Sequence, residues 1–273
     1  MDGYSASNLL TWAESELTRS GIECARHETK LLLSHCPDAR SFRRCVKRRT
    51  TRYPLQYILK EAEFMGLPLK FEKGVFIPRP ETELLVEKVL EITANMGNRP
   101  IKILEIGTGS GNVAISLTKN VTNCKIIASD ISGAALRAAA QNAGMNSVGE
   151  KIKFVKSDLF NAITDTYFNY FDIIISNPPY IKRGEIKSLQ PEISYEDVRA
   201  LDGGEDGLDF YRRIFREGRR YLKAGGIFAF EIGYDQREAI TEIIAEYSEL
   251  GEVESFKDYN GHDRIIMVKK WIS

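Results

Sequence analysis

From residue 101 onward, short apolar runs alternate with longer stretches of helical periodicity. The runs are IKILEI (101–106), KIIAS (125–129), KIKFV (151–155), FDIIIS (171–176), GIFAFEI (226–232) and RIIMVKK (264–270). Such nearly continuous apolar runs predict strands that helices cover on both faces. An Asn-Gly pair at 260–261 precedes the last run, which predicts a hairpin and an antiparallel final strand. The pattern indicates an α/β fold with a doubly wound, mostly parallel sheet.

The first 52 residues have a different pattern, because their apolar positions recur at helical spacing with few strand-like alternations. Leu9, Ala13 and Leu17 are examples. This spacing predicts a small unit of short helices.

Between residues 62 and 80, two apolar stretches flank Glu72, Lys73 and Gly74. A turn signal between apolar stretches predicts a β-hairpin that turns at these three residues. Pro80, followed by ETELLVEKVLEI, then predicts a helix start with acidic residues at the positive end of its dipole. We therefore divide the chain into an N-terminal helical domain (1–60), a hairpin linker (61–80) and an α/β domain (81–273).

Composition places the chain among globular proteins. It is 43% hydrophobic and 28% charged over 273 residues, so it can bury one sizeable core and a second, smaller one. No apolar run approaches the ~20 residues that span a bilayer, and MDGYSASNLL lacks the basic start and apolar core of a secretory signal. We expect a cytoplasmic protein with no membrane partner.

Charge is balanced overall but concentrated in RSFRRCVKRRTTR (40–52). The basic residues there are Arg40, Arg43, Arg44, Lys47, Arg48, Arg49 and Arg52, with no acidic residue between them. Such a run is typical of a solvated helix face. The alternative is a surface for an acidic partner or for RNA.

The cysteines indicate reduced, mostly buried thiols rather than a disulfide framework, because the chain has no C-x-x-C pair. Cys24, His27, His35 and Cys36 lie within one short segment. Their spacing is not a familiar zinc pattern and the segment has helical periodicity, so we expect no metal.

A glycine-rich loop, LEIGTGSGN (104–112), follows the first strand of the α/β domain and opens a helix. Gly107, Gly109 and Gly111 allow a sharp turn and a close approach of the backbone to a ligand. The dinucleotide fingerprint G-x-G-x-x-G requires glycine at position 112, where this chain has Asn112. The loop therefore fits a dehydrogenase poorly.

Three carboxylates stand at successive strand ends. Asp130 lies where an acidic residue would accept from ribose hydroxyls, and Asp158 is suited to accept from an adenine amino group. Glu105 places negative charge near the ligand. This charge would repel a pyrophosphate and attract an ammonium or a sulfonium group. A single carboxylate is often only a helix cap or an exposed charge. Three together favour S-adenosylmethionine over NAD.

Asn177, Pro178, Pro179 and Tyr180 follow the fourth strand. Added to the loop and the carboxylates, this NPPY motif resembles class I S-adenosylmethionine-dependent methyltransferases that methylate planar amino groups. The resemblance covers residues 101–273. It implies a Rossmann-like, mostly parallel seven-stranded sheet with an antiparallel last strand.

One interpretation of the two prolines is that they simply end the strand, but methyl transfer gives them a second use. A planar amide nitrogen is a weak nucleophile and must be held near ~3 Å from the methyl carbon. The Asn177 side-chain oxygen and the Pro178 carbonyl can accept its two N–H groups, and Tyr180 can stack on its flat face. Positive charge moves to this nitrogen during transfer, so two acceptor oxygens stabilise the transition state.

Two longer stretches narrow the resemblance. GVFIPRPETELLVE (74–87) and ALDGGEDGLDFYRRI (200–214) are similar to segments of the HemK/PrmC family. That family methylates the side-chain amide nitrogen (N5) of the glutamine in the Gly-Gly-Gln motif of peptide chain release factors. The resemblance implies an enzyme with the same activity, a helical substrate-recognition domain joined through a β-hairpin, and S-adenosylhomocysteine as the cofactor product. It also implies release factors as protein partners, and we expect a monomer with no stable nucleic-acid partner.

The sequence is also compatible with other functions. They are a glutamine methyltransferase of a ribosomal protein, a DNA or RNA adenine amino-methyltransferase, and a non-catalytic adaptor that binds the cofactor. A base-modifying enzyme would need to extrude its base and would favour a basic groove, whereas only residues 40–52 are markedly basic.

The resemblance also implies site residues. The cofactor contacts are Glu105, Gly107, Thr108, Gly109, Ser110, Gly111, Asp130, Ile131, Asp158, Leu159 and Asn177. The glutamine contacts are Asn177, Pro178, Pro179 and Tyr180, of which Asn177, Pro178 and Tyr180 are the catalytic set. Phe76 and Arg79 are candidate pocket-wall residues, with domain packing and an exposed charge as the alternative. Many relatives have an aromatic residue at the position of Leu159, and Phe160 is the substitute considered for it. The long connection 181–205 is typical of a lid or docking surface.

Overall fold

A computed structural model describes residues 6–271 of the chain. Four helices come first: α1 (Ala6–Arg19), α2 (Ala25–His35), α3 (Ala39–Arg49) and α4 (Leu55–Leu59). A two-stranded hairpin of β1 (Glu61–Phe64) and β2 (Leu67–Lys70) leads into α5 (Glu81–Ala94). Pro80 is the N-cap of α5, so the predicted helix start is confirmed.

The remaining strands and helices mostly alternate. They are β3 (Ile101–Ile106), α6 (Asn112–Asn120), β4 (Cys124–Asp130), α7 (Gly133–Met145), β5 (Ile152–Lys156), β6 (Phe171–Ser176), α8 (Asp209–Gly218), β7 (Leu222–Glu231), α9 (Arg237–Ala245), β8 (Leu250–Lys257) and β9 (Asp263–Lys270). The exceptions are that β6 follows β5 and β9 follows β8 without an intervening α-helix. Seven of these strands form one sheet in the order β5-β4-β3-β6-β7-β9-β8. β9 is antiparallel to both neighbours and the other pairs are parallel, which confirms the predicted fold class. The strand order reverses beside β3, and such a switch point leaves a crevice at the carboxyl ends of the strands.

The apolar runs did not reveal β8. This strand lies at the edge of the sheet and pairs with β9 alone. Its sequence, LGEVESFK, places glutamates and a serine among the apolar residues, and its exposed positions alternate with partly buried ones. Its faces are only partly covered, so its side chains need not form a continuous apolar run.

The hairpin exists, but its predicted turn was wrong. β1 and β2 meet through Met65 and Gly66, whose φ angles are 52° and 71°. Two positive φ angles are what a two-residue type I′ turn requires. Residues 72–75 form a later turn, in which the Val75 amide donates to the Glu72 carbonyl at 3.1 Å. Methionine rarely adopts positive φ, so Met65-Gly66 is a weaker turn signal than the segment that contains Gly74.

The hydrophobic core does not divide where the helices end. One cluster joins the N-terminal helices, the hairpin and α5 to one face of the sheet, and includes Phe42, Phe71 and Ile103. A second cluster lies on the other face, around Phe215 and Phe230. Two cores are therefore present, but the sheet separates them. The domain limits at residues 60 and 80 stay a prediction.

The basic run lies mostly on α3 and has two kinds of side chain. Arg40, Arg44, Lys47 and Arg48 are exposed, as expected of a solvated face. Arg49 is buried, and its guanidinium contacts Glu28 at 2.6 Å and Glu192 at 2.9 Å. Arg52 contacts Glu192 at 2.7 Å. Two cations of this run thus bind one carboxylate of the 181–205 connection.

The thiols are free, but most are not buried. Cys124 is buried, Cys24 is exposed, and Cys36 and Cys45 are half-buried with their sulfurs 3.4 Å apart. Over the described residues, His, Cys, Asp and Glu side chains form no group of three or more that could hold a metal ion. None of the helices from residue 6 to residue 271 is long and apolar enough to cross a membrane.

Candidate active site

A cavity of about 490 Å³ opens at the carboxyl edge of the sheet, beside the switch point at β3. Its walls come from the loops after β3, β4, β5 and β6, from the segment before α5, from the 181–205 connection and from α8. Its lining residues include Phe76, Arg79, Thr82, Glu105, Gly107, Thr108, Gly109, Asp130, Ile131, Asp158, Leu159, Asn177, Pro178, Pro179, Tyr180, Arg199 and Arg213.

The glycine loop follows β3 and bends toward β4. The amides of Gly107 and Thr108 donate to the Ser129 carbonyl at 2.8 and 2.9 Å. Gly107 and Gly109 have φ angles of +74° and +55°, and a Cβ on either would meet no atom within 4 Å. Both positions therefore leave open space where a side chain would stand, and the backbone can approach a ligand closely.

Gly111 has another role, since its φ is +83° and a Cβ there would lie 3.0 Å from the Cβ of Ala139. It permits close packing of α6 against α7. Ser110 is buried, and its carbonyl accepts from the Asn142 side chain at 3.0 Å. Neither Ser110 nor Gly111 is among the cavity-lining residues.

Asp130 at the end of β4 organises the adjoining loops. Its Oδ2 accepts from the Gly109 amide at 2.9 Å and its Oδ1 from the Ser132 amide at 2.8 Å. Each carboxylate oxygen keeps lone pairs for a second donor. Burial raises the pKa of Asp130, while these two amides act in the opposite direction.

Glu105 is 3% exposed and accepts a hydrogen bond from the Thr108 hydroxyl at 2.8 Å. Burial raises the pKa of Glu105 to about 8, and the neighbouring charge of Asp130 contributes in the same direction. A cationic group placed beside this carboxylate would favour its ionised form.

Asp158 and Leu159 both line the cavity beyond β5. The Asp158 carboxylate accepts from Arg213 on α8 at 2.9 Å, an ion pair that the sequence did not predict. Phe160 stacks on Tyr221 with ring centroids 5.1 Å apart and belongs to the core. The cavity-lining residues include Leu159 and not Phe160, and the adenine contact of Leu159 stays a prediction.

The NPPY motif continues directly from β6 and places all four residues at the cavity. The Asn177 side-chain nitrogen donates to the Thr82 hydroxyl at 3.1 Å, and that hydroxyl donates to the buried Glu231 carboxylate at 2.6 Å. The Tyr180 hydroxyl donates to the other oxygen of Glu231 at 3.2 Å. Burial, with the charge of Glu231, raises the pKa of Tyr180. The motif is thus held by residues from α5 and β7.

The backbone that follows the NPPY motif is held by residues 201–207 and by Gln236. The Ile181 amide donates to the Leu201 carbonyl at 3.0 Å, and the Gln236 side chain donates to the Tyr180 carbonyl at 2.9 Å. At Gly207, where φ is +80°, a Cβ would lie 2.5 Å from the Tyr180 carbonyl oxygen. The glycines of ALDGGEDG therefore permit contact between two backbone segments.

Phe76 and Arg79 also line the cavity. The Arg79 guanidinium lies 5.0 Å from the centre of the Phe76 ring and pairs with Glu196 of the 181–205 connection. Burial raises the pKa of Glu196, and Arg79 opposes that shift. The connection is thus part of the cavity wall, through residues that include Ile193 and Arg199.

All the predicted site residues except Ser110 and Gly111 thus lie around one cavity. Sequence reasoning missed Thr82, Glu231, Glu196 and Arg213. It also gave no role to Gly207, although three glycines within five residues (203–207) signal close backbone packing.

Residues 79–204 match the protein family described as Methyltransferase small domain. The release factor glutamine methyltransferase of Thermodesulfovibrio yellowstonii is 41% identical over 236 residues, which cover 85% of this chain and 82% of that protein. The protein of the same name from Geobacter sulfurreducens is 34% identical over an alignment of 284 residues, which covers 96% of each chain.

Among solved structures, a ribosomal protein L11 methylase from Lactobacillus delbrueckii subsp. bulgaricus is similar, with a TM-score of 0.51 and 21% identity. The likeness covers 75% of this chain and 86% of that one, and it concerns the fold alone. The two relatives with higher identity cover 85% and 96% of this chain. The resemblance drawn from the NPPY motif and its flanking segments is confirmed, and the chain belongs to the family of release factor glutamine methyltransferases.

Proposed function

We propose that this protein transfers a methyl group from S-adenosylmethionine to the N5 amide nitrogen of the glutamine in the Gly-Gly-Gln motif of peptide chain release factors. The observation that carries the proposal is a single cavity lined both by the NPPY motif and by Glu105, Asp130 and Asp158. A methyl donor and a planar amide can therefore meet within one site. Release factors as partners and a cytoplasmic location belong to the same proposal.

The cavity suits S-adenosylmethionine by chemistry and by size. Its volume of about 490 Å³ lies within the range of small-molecule sites. Three carboxylates favour a ligand with cationic and hydroxyl groups over a pyrophosphate. Asp130 would hold the ribose hydroxyls, Glu105 would face a cationic part, and the glycine loop would leave room for the ligand. When bound, the cofactor supplies a methyl group on positively charged sulfur.

The chain's own residues would then orient the substrate amide. The Asn177 side-chain oxygen and the Pro178 carbonyl accept its two N–H groups, which fixes the plane of the nitrogen. The ring of Tyr180 lies against the flat face. The nitrogen gains positive charge as its bond to the methyl carbon forms and the sulfur–carbon bond breaks, so both acceptor oxygens bind it more strongly in the transition state. The methylated nitrogen then releases one proton to solvent.

Cofactor binding should release a proton from Glu105. Its pKa in the free protein is about 8, so it is mostly protonated at pH 7. A cationic ligand favours the ionised form, hence affinity should rise as the pH increases toward 8 and level off above it. Calorimetric titration with S-adenosylmethionine at pH 7, in two buffers of different ionisation enthalpy, should show a net release of up to about one proton.

The matched control for this titration is Glu105→Gln, which has no proton to release. The difference between the two proteins isolates Glu105 from Asp130 and from the amino group of the ligand. Equal proton release by both proteins would show that another group titrates.

The proposed function is tested by incubating the protein and labelled S-adenosylmethionine with four acceptors. These are a release factor, the same factor with its Gly-Gly-Gln glutamine replaced by alanine, a ribosomal protein and DNA. We expect label on the unaltered release factor alone. Label on the alanine version, or on ribosomal protein or DNA instead, would assign the activity to a different substrate.

A further inference from the structure

The NPPY asparagine is oriented by a hydrogen-bond chain that begins outside the motif. Glu231, at the end of β7, and Thr82, in the first turn of α5, are each 1% exposed. Glu231 uses one carboxylate oxygen for Thr82 and the other for Tyr180. Thr82 and Tyr180 line the cavity, whereas Glu231 lies behind them.

The protons of this chain decide which way the Asn177 amide faces. A threonine hydroxyl has one proton, and Thr82 gives it to Glu231 at 2.6 Å. The Thr82 oxygen can then only accept, so Asn177 must direct its NH₂ group toward Thr82, as observed at 3.1 Å. The amide is planar, hence its oxygen faces away from Thr82. The opposite orientation would present a donor to the N–H group of the substrate amide, and no hydrogen bond would form.

We infer that Thr82 and Glu231 are positioning residues for methyl transfer: they fix the Asn177 amide with its oxygen toward the acceptor nitrogen. Neither contacts the reacting atoms; Thr82 acts through Asn177, and Glu231 acts through Thr82 and Tyr180. The inference rests on the proposed function, because it assigns a role within the same site.

The orientation of Asn177 requires Glu231 to be ionised, and burial makes this ionised form costly. A buried carboxylate is costly unless hydrogen bonds and nearby charges compensate it. Besides Thr82 and Tyr180, Arg264 on β9 favours the ionised form and Glu81 on α5 opposes it. Tyr211 on α8 donates to the Glu231 main-chain oxygen at 2.7 Å. Burial is the largest influence and raises the pKa of Glu231 to about 7.

Protonation of Glu231 would disrupt this order. A protonated carboxyl can donate to Thr82, which frees the Thr82 proton for Asn177 and allows the amide to turn. The turnover number kcat at saturating cofactor should therefore fall as the pH decreases through about 7.

The first test compares Thr82→Val with Thr82→Ser. Valine keeps the shape and removes the hydroxyl, so kcat for release factor methylation should fall roughly 10- to 100-fold while cofactor affinity stays within about twofold. Serine keeps the hydroxyl and should retain kcat within about threefold. Thr29→Val is the matched control, because Thr29 is also buried in a helix and its hydroxyl has no partner in residues 6–271. It should leave kcat unchanged.

The second test is the pH profile of kcat for Glu231→Gln. This variant should have a lower kcat than the wild type at pH 8 and should lose the decline near pH 7. Wild-type activity of Thr82→Val, equal impairment by valine and serine, or an unchanged pH profile of Glu231→Gln would overturn the inference while leaving the proposed function intact. Wild-type protein that does not methylate release factor would instead overturn the proposed function, and the inference with it.

Discussion

Replacing Asn177 with alanine should lower kcat for release factor methylation by on the order of a hundredfold or more. The side chain of Asn177 lines the cavity, and its amide nitrogen is held by Thr82. Alanine removes the acceptor oxygen that orients the substrate nitrogen and stabilises its developing charge. Cofactor binding should change much less, because Glu105, Asp130 and the glycine loop are untouched. Initial rates with labelled cofactor and calorimetric affinities check the two expectations.

Asn95→Ala is the control for this variant, since Asn95 lies at the far end of α5 and its side-chain amide donates to the Glu91 carbonyl at 3.0 Å. It should have wild-type kcat and wild-type cofactor affinity. A loss of cofactor affinity as large as the loss of kcat in Asn177→Ala would contradict a role in transfer and indicate a binding role. Thermal denaturation of both proteins separates either outcome from misfolding.

Gly207→Ala should both destabilise the fold and impair transfer. A Cβ at Gly207 would lie 2.5 Å from the Tyr180 carbonyl oxygen and 2.6 Å from the Gln236 side-chain nitrogen. The φ of +80° adds left-handed strain, which costs about 1 to 2 kcal/mol for alanine. The collision with backbone adds about 1 to 3 kcal/mol. Urea unfolding should show a loss near 3 kcal/mol, and kcat should fall because Tyr180 moves.

Gly261→Ala provides a control with the same strain and no collision. Its φ is +83°, and a Cβ there would meet no atom within 4 Å. This variant should lose only about 1 to 2 kcal/mol of unfolding free energy and keep its kcat. Equal losses in the two variants would mean that the segment around Tyr180 yields without cost.

Local patterns predicted the framework of the site because each lies within a few consecutive residues. The run IKILEI, the glycine loop after it and Asp130 at the end of KIIAS follow from strand and loop chemistry alone. Parallel strands bring their carboxyl ends to one edge, so these residues meet whatever the details of packing. The same reasoning placed NPPY at that edge.

Long-range register decides what the sequence could not predict. Thr82 and Glu231 are 149 residues apart and meet only because α5 packs beside β7. The turn at Met65 depends on the pairing of β1 with β2. Leu159 has a φ of +48°, and Phe160 packs on Tyr221 in the core. Local secondary-structure propensity does not predict any of these features.

Glu192 connects the helical unit to the cavity wall through two ion pairs. Both cations that bind this carboxylate belong to the helical unit, while Glu192 itself belongs to the segment that closes one side of the cavity. The contacts are largely shielded from solvent, so salt screens them weakly. Loss of this one carboxylate would therefore free the segment that forms part of the cavity wall from both guanidinium groups at once.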